Sequence, residues 1–224
     1  MKEKSFIVKI LEVEDITHDV KRFKVEKPKG YKFTPGQATE VSINKDGWKD
    51  KKRPFTFTSL NESPNLEFTI KIYEGHNGVT KELGKLKAGD SLIIRDVWGA
   101  LRYKGEGVFI AGGAGITPFI AILRQLKKEN KLRGNTLIFS NKTEEDIILK
   151  EELDSMDDLK KIYTLTRENK IDYEYGRVDE KFLKEYILDF SQHFYICGPI
   201  RMVGEIQYIF QKLGAESDSI VVET

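Results

Sequence analysis

The spacing of hydrophobic residues changes near residue 105, and this change restricts the chain to two domains of different architecture. Before it, short runs rich in β-branched and aromatic residues are separated by turns of glycine, proline and asparagine. These runs predict six strands: Ser5–Val13, Val20–Glu26, Gln37–Ile43, Arg53–Ser59, Leu66–Tyr73 and Ser91–Asp96. Six short strands, with one brief helix at Val79–Lys85, indicate a small six-stranded antiparallel β-barrel.

After residue 105 the pattern alternates between apolar strands and amphipathic helices. The predicted strands are Gly107–Ala111, Thr136–Ser140, Lys161–Thr166, His193–Cys197 and Ser219–Glu223, and the predicted helices are Ile116–Glu129, Asp146–Asp154, Glu180–Leu188 and Pro199–Leu213. This alternation predicts an α/β domain with a parallel sheet and helices on both faces. We place the boundary near residues 103–106, which gives domains of 1–103 and 104–224, each long enough to bury its own core.

Composition excludes several classes of protein. A single cysteine, Cys197, rules out a disulfide framework and a cysteine-ligated iron–sulfur cluster within the chain. The histidines His18, His76 and His193 lie far apart without ligand-like spacing, so we predict no metal. No apolar run approaches the roughly 20 residues of a membrane span, and the N-terminus has no signal-peptide h-region. We therefore expect a cytoplasmic protein without membrane contact.

The net charge of +1 argues against general nucleic-acid binding, but the charge is unevenly divided. Residues 1–103 contain 20 Lys and Arg against 15 Asp and Glu, whereas residues 104–224 contain 17 against 21. A basic first half can steer an acidic protein partner towards the barrel. Solvated surface lysines explain the same excess equally well.

One predicted strand, Arg53-Pro54-Phe55-Thr56-Phe57-Thr58-Ser59, combines a cation, aromatic side chains and hydroxyls. The guanidinium of Arg53 is a planar fork that suits a phosphate. Phe55 lies two residues on and shares its sheet face, where it can stack on a flavin ring, and Thr56 can present a hydroxyl to the ring edge. A barrel strand with a surface arginine and a core phenylalanine fits the same residues.

The short predicted helix opens at Gly78-Val79-Thr80. A glycine followed by a hydroxyl residue at a helix N-terminus leaves backbone N–H groups free, which suits a pyrophosphate. An ordinary hairpin turn at Asn77-Gly78, with Thr80 as the N-cap of the helix, is the alternative.

A glycine motif, Gly112-Gly113-Ala114-Gly115-Ile116-Thr117-Pro118, follows an apolar strand and opens an amphipathic helix. In this strand–turn–helix context, glycines let a pyrophosphate approach the backbone at the helix N-terminus. Pro118 suits the first helical turn, where a missing N–H costs little. The motif departs from G-x-G-x-x-G, because Pro118 stands in the place of the third glycine.

Residues at other strand ends complete the candidate nucleotide site. The second strand ends at Ser140-Asn141-Lys142, without the acidic residue that usually holds a ribose 2′-hydroxyl. Lys142 and Arg167 together suit a 2′-phosphate and favour NADPH over NADH, although two exposed cations at strand ends are the alternative. Cys197-Gly198-Pro199 ends the fourth strand, where it faces the ligand crevice, and nothing beside Cys197 argues for a reactive thiolate.

Together these motifs resemble those of the ferredoxin–NADP reductase superfamily over nearly the whole chain. Arg53-Pro54-Phe55-Thr56 is similar to its flavin motif, Gly78-Val79-Thr80 to its pyrophosphate turn, Gly112–Pro118 to its nucleotide loop and Cys197-Gly198-Pro199 to its nicotinamide motif. The resemblance implies bound FAD and a second nucleotide, NADP or NAD. It implies an enzyme that transfers hydride between NAD(P)H and the flavin and exchanges electrons with a carrier such as ferredoxin or flavodoxin.

The resemblance also implies roles for individual residues. It places FAD at Arg53, Pro54, Phe55, Thr56, Thr69, Ile70, Lys71, Gly78, Val79 and Thr80, with the backbone of 69–71 lining the cofactor. It places the nicotinamide nucleotide at Gly113, Ala114, Gly115, Thr117, Pro118, Thr166, Arg167, Cys197, Gly198 and Pro199, where Thr166-Arg167 is similar to a Ser-Arg pair that reads the 2′-phosphate. The residues implied next to the reacting atoms are Thr56, Cys197 and Glu223.

Three departures from the family pattern change what the resemblance implies. Phe55 replaces a tyrosine and loses its hydroxyl contact, and Ala114 replaces a threonine of the glycine loop. The sequence ends at Val222-Glu223-Thr224, without the aromatic residue that covers the flavin in many members. The ring face is then open to the nicotinamide, or a partner or another part of the chain covers it.

Other functions fit the same motifs. The chain can be a flavin reductase that uses flavin as a substrate, or a non-catalytic module that senses nucleotides. It can also be the reductase component of an oxygenase, which only the partner would distinguish from a carrier reductase.

Overall fold

A computed structural model describes residues 4–75, 77–99 and 101–223, which fall into two compact units. His76 and Thr224, which enter the sequence argument, lie outside the described residues. The first unit extends to Arg102 and includes Ile120–Gln125, and the second comprises Tyr103–Phe119 and the chain from Leu126 onward. The sequence pattern contains no sign that the first unit takes residues 120–125 from the middle of a helix.

The first unit is built on one antiparallel sheet with the strand order β4-β3-β6-β1-β2-β5. Its elements are β1 (Ser5–Thr17), β2 (Val20–Glu26), β3 (Ala38–Ile43), β4 (Arg53–Thr56), β5 (Asn65–Lys71), a helix α1 (Val79–Leu83) and β6 (Ser91–Trp98). The sheet curls until its two edge strands approach each other. Their approach is shown by a hydrogen bond of 2.9 Å from the N–H of Thr58, just past β4, to the carbonyl of Glu67 on β5. The predicted six-stranded antiparallel architecture is confirmed.

Alternation along the strands explains the barrel core. On β2, Phe23 and Val25 point into the core, and Phe57 and Phe68 fill its centre. The rings of Phe57 and Phe68 lie 5.3 Å apart, and neither side chain is exposed. Each buried ring of this size contributes about 2–3 kcal/mol of hydrophobic stabilisation.

Several predicted strand ends in the first unit are wrong by a few residues. β1 continues to Thr17 instead of ending at Val13, because Glu14, Asp15 and Thr17 pair with β2 although they are polar. β4 ends at Thr56 instead of Ser59, since beyond it the chain bonds to Gln37 and Glu67 individually rather than to one strand.

The second unit contains a six-stranded parallel sheet with the order β10-β9-β8-β7-β11-β12. Its strands are β7 (Gly107–Gly112), β8 (Thr136–Asn141), β9 (Lys160–Leu165), β10 (Glu174–Tyr175), β11 (His193–Cys197) and β12 (Ile220–Glu223). Its helices are α2 (Thr117–Lys128), of which Ile120–Gln125 group with the first unit, α3 (Lys150–Asp154), α4 (Glu180–Tyr186) and α5 (Ile200–Lys212). The predicted α/β architecture is confirmed.

Successive residues of β7 point to opposite faces of the sheet, and helices cover both faces. Val108 and Ile110 belong to one hydrophobic cluster with Phe182 of α4 and Phe210 of α5. On the other face the ring of Phe109 meets that of Phe119, at the start of α2, with centroids 5.2 Å apart. The near-continuous burial of β7 is the pattern expected of a central strand in a parallel sheet.

The single helix predicted at Asp146–Asp154 is wrong. The structure has a 3-10 turn at Glu144–Asp146, capped by Thr143, and then α3. Leu149 interrupts the helix because its φ of 54° lies in the left-handed region.

The short edge strand β10 is missing from the predictions, since two exposed residues carry no hydrophobic pattern. Among the described helices, none is long and apolar enough to cross a membrane.

Candidate flavin and nucleotide sites

A gap between β4 and β5 marks the candidate flavin site in the first unit. The two strands are the edges of the sheet, and past the Thr58–Glu67 bond they are not joined by a ladder. Thr58 and Thr69 still meet inside, with their hydroxyl oxygens 3.2 Å apart. Backbone groups that face such a gap must bond to water or to a ligand. The predicted residues Arg53–Thr56 and Thr69–Lys71 therefore lie on facing sides of an open seam.

The four residues of β4 differ in exposure. Arg53 and Pro54 are exposed, Phe55 is half-buried and Thr56 is buried. The guanidinium of Arg53 donates to the carbonyl of Lys52 at 2.8 Å, and no carboxylate of the described chain lies within ion-pair distance of it. Its charge is thus available to a phosphate. Phe55 packs partly against the barrel core, so only part of its ring is free to stack on a flavin.

On β5, Thr69 and Ile70 are buried, and the ammonium of Lys71 forms an ion pair with Asp19 at 2.7 Å. The backbone of this edge strand, rather than its side chains, is what a cofactor can reach. The role of the 69–71 backbone in lining the cofactor stays a prediction.

The turn before α1 is open at Gly78. Gly78 is the N-cap of α1, so the alternative in which Thr80 is the N-cap is wrong. A Cβ added to Gly78 would meet nothing within 4 Å, whereas Val79 is a core residue that is 2% exposed. Of the predicted Gly78-Val79-Thr80 set, Gly78 and Thr80 have surface to offer a ligand, and Val79 anchors the turn.

In the second unit the predicted nucleotide residues gather at one edge of the sheet. Neighbouring parallel strands end there: β7 at Gly112, β11 at Cys197 and β12 at Glu223. Cys197 is paired with Ala111 on one side and with Glu223 on the other. Ligands of open α/β sheets bind outside the carboxyl ends of the strands, so this edge is the candidate nucleotide site. Thr56 belongs to the first unit and is not part of this edge.

The glycines of the two motifs pack directly on each other. A Cβ on Gly115 would lie 2.2 Å from the carbonyl oxygen of Cys197, and one on Gly198 would lie 3.1 Å from the nitrogen of Gly112. Gly112 has no room either, since Met202 and Pro199 lie against it. The close packing of the protein explains these three glycines. The sequence alone explains them instead by the approach of a pyrophosphate to the backbone.

Gly113 is the glycine that faces open space. Its φ is +52°, in the left-handed region, and an added Cβ would meet nothing within 4 Å. A 3-10 turn of Gly113–Ile116 leads into α2, which begins at Thr117 rather than at the predicted Ile116. The hydroxyl of Thr117 donates to the carbonyl of Ala114 at 3.0 Å, and Pro118 occupies the first helical turn. The open turn and the helix N-terminus together fit a pyrophosphate.

The candidate 2′-phosphate residues come together at the ends of β8 and β9. The third strand, predicted over Lys161–Thr166, is β9, and it ends one residue earlier, at Leu165. The N–H of Thr166 donates to the carbonyl of Asn141, and that of Arg167 to the carbonyl of Lys142, each at 2.9 Å. Lys142 and Arg167 are both exposed. The described residues offer neither cation a carboxylate within ion-pair distance.

Asn141 is a candidate that the sequence argument missed. It is 4% exposed, and neither its Oδ1 nor its Nδ2 has a hydrogen-bond partner among the described residues. A buried amide with both atoms unsatisfied requires a partner such as an ordered water. A polar residue at the end of the apolar run Leu137-Ile138-Phe139 is the sequence signal that could have pointed to it.

Cys197 carries a neutral thiol. Burial, the largest cause, and the nearby Glu223 carboxylate raise the pKa of Cys197 to about 12. The thiol therefore stays protonated at neutral pH, and a protonated sulfur is compatible with a packing position beside a nicotinamide.

This raised pKa gives a measurable pH dependence. Because the thiolate is the species that iodoacetamide alkylates, the rate in the native protein should rise about tenfold per pH unit up to about pH 10 without a plateau. Mass spectrometry of the native and the denatured protein would measure both rates, and the denatured thiol should level off near about pH 9. A plateau at that pH in the native protein would show that the thiol is not suppressed.

The seam and the sheet edge define a class of protein: an oxidoreductase with one flavin-binding and one nicotinamide-nucleotide-binding domain. Residues 7–103 match the family model described as the oxidoreductase FAD-binding domain, and residues 109–207 match the oxidoreductase NAD-binding domain. The chain belongs to the ferredoxin–NADP reductase superfamily of FAD- and NAD(P)-binding oxidoreductases.

Relatives and solved structures agree with this membership. The chain is 30% identical to NADH-cytochrome b5 reductase 2 of Mycosarcoma maydis, over 93% of this chain and 69% of that protein. It is 32% identical to NADH-cytochrome b5 reductase 1 of Eremothecium gossypii, over 81% and 68%. The same fold occurs in the CS-b5R domains of human Ncb5or in the NAD⁺ form, with a TM-score of 0.88, 24% identity and coverage of 100% of this chain and 70% of that one.

A ferredoxin NADP⁺ reductase from Neisseria gonorrhoeae with bound FAD and NADP shares the fold as well. Its TM-score is 0.86 at 21% identity, over 98% of both chains. Proteins with this fold are thus named for two kinds of electron carrier, cytochrome b5 and ferredoxin. The choice between these carriers rests on other observations.

Proposed function

We propose that the protein transfers hydride from NADPH to a bound FAD and delivers the electrons to a small acidic carrier protein. When bound, the flavin supplies the chemistry, since it takes up an electron pair from the nicotinamide and releases electrons singly. The residues of this chain bind and orient the two nucleotides. In this proposal Arg53 and the seam hold FAD, and the Gly113 turn, Cys197 and Glu223 receive the nicotinamide nucleotide.

The choice of NADPH rests on the pair Lys142 and Arg167. The backbone bond between these two residues keeps their exposed side chains at one place, at the carboxyl ends of β8 and β9. A doubly charged 2′-phosphate gains from two cations, whereas a 2′-hydroxyl does not. Thr166 offers a hydroxyl there instead of the carboxylate that would repel a phosphate. The two cytochrome b5 reductases named above are NADH enzymes by their printed names, so this proposal separates the chain from them.

The carrier we propose is a haem protein of the cytochrome b5 type, for which the relatives are named. The segment Lys45–Arg53, which comprises most of the loop between β3 and β4 and the first residue of β4, contains five basic and two acidic residues. Such a segment attracts an acidic protein surface. Ferredoxin and flavodoxin, the carriers expected from the sequence, are acidic candidates of the same kind and serve as the comparison.

An anaerobic visible spectrum, recorded before and after equal additions of NADPH and NADH, tests the donor. We expect a bound flavin that NADPH bleaches about tenfold faster than NADH at limiting concentration, and an Arg167→Ala variant in which this ratio approaches one. Faster bleaching by NADH would contradict the choice of donor. A flavin that neither nucleotide bleaches would favour the sensing module, and a colourless protein active with added flavin would favour the flavin reductase.

The carrier is tested by reducing cytochrome b5, ferredoxin and flavodoxin with the same holoprotein. The rate with the physiological type of carrier should fall as salt rises from about 0.01 to about 0.15 M, since screening weakens the encounter. Ferricyanide, a small acceptor, provides the control for flavin reduction itself. Fast reduction of ferredoxin with slow reduction of cytochrome b5 would overturn the choice of carrier.

A further inference from the structure

Two segments beside the candidate 2′-phosphate residues are fastened together by a set of contacts centred on Glu144. One segment is the turn after β8, Lys142–Asp146, and the other is the chain after β9, Thr166–Tyr173. The carboxylate of Glu144 accepts from the ammonium of Lys170 and from the hydroxyl of Tyr173. Glu144 thus holds the far end of the second segment against the turn.

The backbone of Glu144 adds a third contact. Its N–H donates to a carboxylate oxygen of Glu168 at 2.8 Å. Glu168 follows Arg167 directly, so this bond holds the chain at the residue next to the proposed 2′-phosphate ligand. The hydrogen bond from Lys170, followed by that from Tyr173, lowers the pKa of Glu144, so the carboxylate stays ionised around neutral pH.

Tyr173 is held from its other side as well. The ammonium of Lys150 lies 5.8 Å from the ring centroids of both Tyr173 and Tyr163, and it is anchored by Asp154 at 2.8 Å. The hydroxyl of Tyr163 donates to the same Asp154 at 2.8 Å. The ring that Glu144 binds is therefore part of a fixed cluster and is not a loose surface group.

From this geometry we infer that Glu144 is a positioning residue for donor selection: it fastens the Thr166–Tyr173 segment so that Arg167 stays beside Lys142. The inference rests on the proposed function, because it assigns the 2′-phosphate to these two cations. A polar group already in place loses less freedom on binding, so a fastened Arg167 binds the phosphate more tightly than a mobile one. NADH has no 2′-phosphate, so its affinity should depend little on whether Arg167 is held in place.

The test is a Glu144→Gln variant of the holoprotein, with ferricyanide as the acceptor. Glutamine keeps the size and an acceptor for Tyr173 but loses the charge that holds Lys170. We expect the KM for NADPH to rise about tenfold, with kcat and the KM for NADH within about twofold of the parent. Hydrogen exchange of the backbone across residues 166–173 should accelerate, and 2′,5′-ADP should weaken as an inhibitor relative to 5′-ADP.

Glu145→Gln is the matched control, because Glu145 is the exposed neighbour in the same turn and should change none of these readouts. Glu144→Asp, which restores the charge, should recover part of the NADPH affinity. Unchanged exchange, an equal rise in both KM values, or a fall in the KM for NADPH would each overturn the inference. A parent protein that prefers NADH refutes the donor proposal alone, since exchange and the inhibitor ratio still decide the role of Glu144.

Discussion

An Arg53→Ala variant is expected to lose most of its bound flavin while keeping a folded barrel. Arg53 is exposed at the seam between β4 and β5, and no carboxylate of the described chain neutralises it. Two charge-assisted hydrogen bonds to a phosphate contribute about 3–4 kcal/mol, so flavin affinity should fall on the order of a hundredfold to a thousandfold. The flavin-to-protein absorbance ratio after gel filtration and a titration with FAD would measure the loss.

Two further variants show whether this loss is specific. Arg22→Ala removes an arginine of the same barrel that is paired with Glu14 at the surface, and it should leave flavin content unchanged and cost at most about 1 kcal/mol of stability. Arg53→Lys keeps the charge but not the planar fork, so it should recover only part of the affinity. Full flavin content in Arg53→Ala would refute the assignment of the phosphate to this residue.

The sequence predicts the elements of this fold better than it predicts their ends. Alternation places Phe23 and Val25 of β2 on the inward face, because period-two burial is a local property of the strand. The extension of β1 to Thr17 depends on pairing with β2, and polar residues there carry no such signal. Likewise, the opening between β4 and β5 depends on how the sheet curls, which a one-dimensional pattern does not contain.

In the candidate nucleotide site, too, the sequence predicts local features better than those that depend on distant parts of the chain. The glycine motifs were recognisable from their context between strand and helix, and the structure brings Gly112–Gly115 and Cys197–Pro199 to one sheet edge. The reason for Gly115 was not recognisable, since it depends on a carbonyl more than eighty residues away in the sequence. Glu144 was missed for a similar reason: its partners Lys170 and Tyr173 are distant in sequence, and a single acidic residue in a charged turn is a weak signal.

A Gly115→Ala variant is expected to lose most of its reduction by NADPH while keeping its flavin. The added methyl group would lie 2.2 Å from the carbonyl oxygen of Cys197, closer than the 3.0 Å that real Cβ atoms essentially never breach. Backbone, not a flexible side chain, blocks it, so either the glycine loop or the end of β11 must move by about 1 Å. Displacement of that size in a positioning element costs about a hundredfold in rate.

Stopped-flow reduction by NADPH measures this loss, and reduction by dithionite, which needs no nucleotide site, should proceed as in the parent. The overpacked edge should also cost about 1–3 kcal/mol of unfolding free energy. Gly204→Ala in α5 is the matched control, because its Cβ would meet nothing within 4 Å and alanine favours a helix interior by about 0.5–1 kcal/mol. If Gly115→Ala were reduced by NADPH at the parent rate, the packing of the two glycine motifs would not be what positions the nucleotide.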